Sequence, residues 1–257
     1  MIAKSILLLA SAALSVASPV AQPDSQPISA DGCAAPQAPT LPVNGGPSEL
    51  PQPPAGLKLQ RIALGLGTQN YTCSHPGADP VSTGALAMFY DITSLFPGQS
   101  QASLSQSAVD ALPAFAVNNL RIPLNFDPVP GDKFACSLTS PFPADAPLRF
   151  SSCDDPAPLL GHHFFDADGT PVFDLPAANI HLVAKKDASA DAPAAADKGP
   201  EGTGAVAWLK LSAKDGAGSF GASLVYRVET AGGNPHGCSN GTTVDSTPYS
   251  AQYWFFG

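Results

Sequence analysis

The placement of proline constrains this fold most. Of the 28 prolines, ten lie within residues 18–57 and ten within 123–176, whereas only two follow residue 200. Proline cannot donate a backbone hydrogen bond, so helices and central strands are interrupted where it is dense. The pattern predicts an irregular leader over 18–56, an irregular excursion in the middle of the chain, and a regular framework nearer the C-terminus.

The regular framework consists of short strand-like segments separated by turn residues. These segments cover residues 57–64, 68–73, 84–91, 161–165, 171–174, 205–211, 221–228 and 249–256. The Asp-Gly pair at 168–169 predicts a hairpin over 161–175. Short strands with little helix indicate an all-β, mainly antiparallel single domain over 57–257, either a sandwich or a barrel with long irregular loops.

Three further segments have distinct patterns. Residues 103–116 predict one short helix, limited by Pro113. The Ala-, Asp- and Lys-rich tract at 184–204 predicts an exposed, low-complexity loop. In the segment 249–256 aromatic residues occupy both faces, which predicts a strand that is covered on both sides near its end.

The N-terminus indicates secretion. Residues 1–17 combine an early lysine, a short apolar run and small residues, as a cleaved signal peptide does. Two glycosylation sequons, at Asn70 and Asn240, agree with an extracellular location. No later segment is long and apolar enough to predict a transmembrane helix.

Charge and cysteine content narrow the function classes. The formal net charge of −9 disfavours a nucleic-acid-binding protein, which needs a basic face. The chain has five cysteines, none in a C-x-x-C spacing: Cys33, Cys73, Cys136, Cys153 and Cys238. Two disulfides and one free thiol are expected in an oxidising compartment, and the spacing alone leaves their pairing open.

The pair His162–His163 is the segment that most suggests chemistry. Neighbouring residues of a strand point to opposite faces, so these two histidines cannot easily share one metal ion. We therefore predict no metal site, and treat His162, His163 and the nearby Asp166 as candidate catalytic residues of a possible secreted enzyme. The alternative is that the histidines are structural and that Asp166 stabilises a turn.

Aromatic side chains of the C-terminal strands could bind a carbohydrate by stacking on its rings. Trp208, Arg227 and Tyr253 are the ligand-binding candidates, although aromatic residues of a sheet more often belong to its core. The Gly65–Gly67 pair after a strand superficially suggests a dinucleotide site. The glycine at the third position of that motif is replaced by Asn70, and no helix can follow, so we predict no nicotinamide cofactor and instead a bend between two strands.

Five segments together resemble a known secreted family of fungi and bacteria, the domain of unknown function 3455. The segments are G-L-G-T-Q-N-Y-T-C at 65–73, G-H-H at 161–163, G-A-V-A-W-L-K-L at 204–211, Y-R-V-E-T-A-G-G-N-P-H-G-C at 226–238 and P-Y-S-A-Q-Y-W-F-F at 248–256. The resemblance covers roughly residues 57–92 and 160–257. The family has no established activity, and its fungal members often carry the label malate dehydrogenase.

The resemblance implies a disulfide between Cys73 and Cys238, which match the two recurrent cysteines of the family. A further family cysteine, near Asp91, is missing here, so Cys136 or Cys153 becomes the candidate partner of Cys33. We therefore expect a secreted protein. Because the β framework is rich in aromatic residues and shows no clear catalytic set, it should bind a polysaccharide or another cell-surface ligand without catalysis. A secreted enzyme that uses His162 or His163 with an aspartate, with or without the assistance of a metal ion, is the alternative. Malate dehydrogenase is a third hypothesis by label only.

Overall fold

A computed structural model describes residues 38–151, 155–239 and 243–257. The predicted signal peptide at 1–17 lies outside the described residues, as do Cys33, Cys153 and Asn240. None of the described helices has the length and apolar character needed to cross a membrane.

The described chain forms a closed barrel of eight antiparallel strands in sequence order. The strands are β1 (Leu59–Thr72), β2 (Val81–Asp91), β3 (Leu159–Phe165), β4 (Pro171–Leu175), β5 (Ile180–Ala190), β6 (Trp208–Ala213), β7 (Leu224–Gly232) and β8 (Val244–Phe256). β8 pairs with β1 and closes the barrel. The all-β prediction is confirmed, and of its two architectures the chain adopts the barrel.

The two glycines of the G-L-G segment lie inside one continuous strand, so the predicted bend is wrong. A Cβ added to Gly65 would lie 2.7 Å from the Tyr253 ring, and one added to Gly67 would collide with the carbonyl oxygen of Leu86. These positions hold glycine because aromatic rings and the neighbouring backbone fill the barrel interior. The strands of the described chain pair antiparallel around the barrel, unlike the parallel sheet of a dinucleotide-binding fold.

The outer face of the barrel is covered where β8, β7 and β1 meet. Two helices, α1 (Gln106–Asp110) and α2 (Leu112–Asn119), lie in this cover, and α2 contacts all three strands. Trp254 and Phe256 are buried beneath the cover, while Tyr253 and Phe255 face the interior. The prediction that the last strand is covered on both sides is confirmed.

The single predicted helix over 103–116 is instead two helices. Pro113 lies in the first turn of α2, where a missing backbone N–H leaves no hydrogen bond unmade. Proline therefore begins the second helix rather than limiting the first.

The described part of the leader, residues 38–56, and the low-complexity tract make more contacts with the barrel than their composition indicates. Leu41 and Leu50 are buried in the apolar cluster on the outer face of the barrel, which also contains Trp254 and Phe256. The Tyr226 hydroxyl donates to the carbonyl of Pro51 at 2.7 Å. β5 continues through Ala190, which pairs with Trp208 of β6. The predicted loop at 184–204 therefore begins as a strand, because cross-strand pairing outweighs its composition.

Candidate functional site

The two adjacent histidines are separated by the barrel wall. His163 is fully buried inside, where its Nδ1 donates to the carbonyl of Val172 at 2.8 Å and its ring stacks on Phe173 at 4.3 Å. Burial lowers the pKa of His163 to about 4, against a smaller opposing effect of the hydrogen bond to the Val172 carbonyl. The imidazole is therefore neutral near neutral pH.

His162 lies on the outer face of β3. Its ring stacks on Phe142 at a centroid distance of 4.3 Å, and its Nε2 is 3.4 Å from an oxygen of Asp145. Asp166 lies in the β3–β4 turn, where its Oδ1 accepts hydrogen bonds from the backbone N–H groups of Asp168 and Thr170. The structure does not bring His162, His163 and Asp166 together.

Three of the sequence-predicted residues do meet inside the barrel. His163, Arg227 and Tyr253 line a cavity of about 40 Å³ together with Gln69. Arg227 donates from Nε and Nη2 to the carbonyl of Ala207, and the hydroxyls of Tyr253 and Tyr249 are 3.0 Å apart. These side chains form a polar cluster in an interior that is otherwise filled by apolar rings.

Trp208 lies elsewhere, at the wall of a cavity of about 420 Å³ that Asp110 and Glu229 also line. Both Trp208 and Tyr253 are only 1% exposed, so they form no common stacking surface. Glu229 lies at a β-bulge of β7 with φ of 47°, a conformation that disfavours non-glycine residues. Burial, and next the negative charge of Asp110, raises the pKa of Glu229 to about 7.

The Glu229 carboxyl should make stability fall with rising pH. Its pKa is about 7 when folded and 4.5 in the reference state, so the unfolded chain loses this proton first and the folded state is destabilised as pH rises from about 4.5 through 7. Glu229→Gln should match wild type at pH 4. At pH 8 it should be more stable by about 1–2 kcal/mol, a value reduced for partial exposure.

Urea unfolding at both pH values measures this difference. Asp215→Asn is the control, because that side chain is 99% exposed and its removal should leave the pH dependence unchanged. Equal pH dependence in wild type and Glu229→Gln would contradict the assignment.

A further cavity, of about 490 Å³, is lined by residues that the sequence did not identify. His236 lies in the β7–β8 connection, and Asp245 in β8 accepts from its backbone N–H at 2.8 Å and from its Nδ1 at 2.9 Å. On the other side, His236 Nε2 is 3.5 Å from Glu201 Oε2, and Glu201 Oε1 is 2.8 Å from Lys133 Nζ. A continuous chain of polar contacts thus connects three loops that line this cavity.

Asp132 differs from the other carboxylates that line this cavity. It is 4% exposed, and its Oδ1 accepts from the backbone N–H of Phe134 at 2.9 Å. Its Oδ2 is buried without a hydrogen-bond partner among the described residues. A short turn holds it in place, since Val129 and Asp132 exchange backbone hydrogen bonds around Gly131, whose φ is 88°.

The sequence carried a partial signal for this site. His236 lies in the N-P-H-G-C segment, two residues before a cysteine of the disulfide. Asp132 and Glu201 come from a proline-rich excursion and a low-complexity tract, where nothing in the local pattern distinguishes them from solvated carboxylates.

The cysteines and the sequons are the remaining sites predicted from the sequence. The Cys73–Cys238 disulfide is present, which confirms the pairing, and Cys136 carries a free thiol. Asn70 is half-buried on β1, and glycosylation of either asparagine stays a prediction. No group of three or more His, Cys, Asp or Glu side chains within the described ranges is arranged to hold a metal ion.

Comparison with known proteins assigns the family. The sequence model of a family described as proteins of unknown function, DUF3455, matches residues 53–257. The chain belongs to the DUF3455 family. The match spans the whole barrel and both helices. No curated protein and no solved structure matches the chain significantly.

Proposed function

We propose that this DUF3455 protein is secreted and binds a carbohydrate, without catalysis, in the 490 Å³ cavity beside His236. The observation that carries the proposal is Asp132, which lines the cavity and whose buried Oδ2 has no hydrogen-bond partner among the described residues. A buried carboxylate oxygen without a donor is destabilising. A sugar hydroxyl would supply that donor.

The remainder of the cavity suits the same ligand class. Glu201 and His236 are partly exposed polar groups at its rim, and the half-buried ring of Phe134 contributes an apolar wall. Sugars present hydroxyls at their edges and C–H groups on their faces. A binding site with a few placed polar groups and an apolar wall accommodates both.

The contacts that His236 makes with its neighbours favour binding over catalysis. A general base needs a ring nitrogen that is free to take a proton from the substrate. In His236 both ring nitrogens already face carboxylates, Asp245 at Nδ1 and Glu201 at Nε2. The contacts from Lys133 to Asp245 therefore hold the three loops together, and Asp132 Oδ2 is the acceptor that has no donor among the described residues.

A secreted hydrolase is the second candidate, and the Asp245–His236 pair is the observation that favours it. Asp245 holds Nδ1 in the donor state, as the carboxylate of a catalytic Asp–His pair does. This hypothesis requires Glu201 to move away from Nε2. If the protein is a hydrolase, it should hydrolyse a saccharide or an ester. His236→Gln should abolish this hydrolysis, and Glu201→Gln should not.

The direct test of the binding proposal is a saccharide panel followed by calorimetry. Cello-, xylo- and chito-oligosaccharides are screened against the intact chain, and the bound saccharide is titrated into Asp132→Asn. Loss of one charge-assisted hydrogen bond should weaken binding about tenfold or more. Asp132→Asn keeps the shape of the side chain, so folding should be preserved.

Asp215→Asn is the matched control, since Asp215 is fully exposed and its substitution should leave the dissociation constant unchanged. Binding of none of the saccharides, or undiminished binding by a folded Asp132→Asn, would overturn the proposal.

A further inference from the structure

The polar cluster inside the barrel, which includes His163, Arg227, Tyr253 and Gln69, contains a positive charge without a neighbouring carboxylate among its lining residues. Among the residues that line the 40 Å³ cavity, Arg227 carries the positive charge and no aspartate or glutamate is present. Half-buried cations are usually paired, because removing a charge from water is unfavourable. Here the guanidinium donates to a neutral acceptor, the carbonyl of Ala207.

A second side chain of the lining carries a donor that has no acceptor. Gln69 is 6% exposed, and its Nε2 is buried with no hydrogen-bond partner among the described residues. Gln69 lies on β1 and Arg227 on β7, so two different strands contribute N–H donors to the same cavity. The Tyr253 hydroxyl, on β8, lies beside them.

The other titratable side chains do not supply a negative charge. Burial raises the pKa of both Tyr253 and Tyr249 above the ordinary value, so both remain neutral phenols. His163 is neutral because burial lowers the pKa of its ring to about 4. The cavity therefore combines the guanidinium charge of Arg227 with the Gln69 amide, whose Nε2 meets no acceptor at hydrogen-bond geometry although its side chain interacts with the Tyr249 hydroxyl.

We propose that this end of the barrel interior binds a small monovalent anion, of halide or formate size, between Arg227 and Gln69. The charge selects an anion, and N–H groups from the two strands that flank β8, Arg227 on β7 and Gln69 on β1, would coordinate it. The volume of about 40 Å³ exceeds the roughly 10–15 Å³ that one water needs and excludes a whole sugar. Eight-stranded barrels have an interior that is either filled by side chains or holds one small ligand.

The test uses bromide and formate as probes of the full chain. Thermal unfolding is followed while sodium bromide or sodium formate is added, and the saturable part of the stabilisation gives the affinity. Arg227→Gln should bind at least about tenfold more weakly, because a charge-assisted hydrogen bond is lost. Arg61→Gln is the control, since Arg61 pairs with Asp91 away from this cavity and its substitution should leave the response intact.

Gln69→Glu provides an independent variant of similar size. Its carboxylate would face Arg227 and take the place of the anion, so the variant should fold without added anion and lose the saturable response. Bromide bound in the cavity, seen by anomalous diffraction of wild-type crystals, would support the site directly. Equal responses of wild type and Gln69→Glu, or no bromide in the cavity, would overturn the proposal.

Discussion

Removing the Cys73–Cys238 disulfide should lower the free energy of unfolding by about 4–5 kcal/mol, because the bond closes a very long loop. The two cysteines are 165 residues apart in sequence, so the cross-link restricts most of the unfolded chain. The expected change is measured by urea unfolding of the double variant Cys73→Ala/Cys238→Ala, in which both buried sulfur atoms are replaced by small apolar side chains.

The fold should survive this change. β8 pairs with β1 from Val244 to Phe256, so the barrel is closed by a hydrogen-bonded ladder independently of the disulfide. The loops near His236 should loosen, because the Gly77 N–H donates to the Cys238 carbonyl at 2.7 Å and the Cys73 N–H to that of Thr243 at 3.1 Å. Saccharide binding should therefore weaken together with stability.

Cys136→Ala is the matched control, since its thiol is free and half-buried. It should change stability by less than about 1 kcal/mol, as most substitutions away from tightly packed sites do. A double variant as stable as this control would show that the loop-closure argument does not apply to this chain.

Local signals in the sequence were sufficient for much of the framework. The hairpin over 161–175 was predictable from the Asp-Gly pair at 168–169, and Gly169 takes the positive φ of 71° that the turn between β3 and β4 requires. β5 was missed entirely, because no strand was predicted between residues 174 and 205. Its second half has the composition of a loop and is held as a strand by pairing with β6. Closure of the barrel depends on pairing of β1 with β8, about 190 residues apart, which no local pattern encodes.

The candidate site was less predictable than the fold, because it too depends on contacts between residues far apart in sequence. Its groups come from three loops, so the pairing of Glu201 with Lys133 and His236 exists only after the chain has folded. The aromatic residues that the sequence favoured, Trp208 and Tyr253, are buried by the barrel. Composition indicated that aromatic rings would lie on the sheet, but the face of each ring and its cover are properties of the closed barrel.

Replacing Trp254 should detach the helical cover from the barrel. The side chain is fully buried on the outer face of β8, with the Phe96 ring edge-on at 5.1 Å. Its Nε1 donates to Gln252 Oε1 at 3.0 Å, and Gln252 Nε2 donates to the carbonyl of Val109 in α1 at 2.9 Å. This chain of hydrogen bonds links the last strand to the helix through two buried polar groups.

Trp254→Ala should therefore lower the free energy of unfolding by about 3–5 kcal/mol, since it removes a large buried ring and leaves a cavity. Trp254→Phe is the graded control: it keeps an aromatic ring against Phe96 but loses the indole donor, and it should be destabilised less. Urea unfolding measures both changes, and hydrogen exchange should show protection lost first in α1 and α2. A loss below about 1 kcal/mol for Trp254→Ala, or unchanged exchange in both helices, would mean that the cover is held by the remaining apolar contacts and not through Trp254.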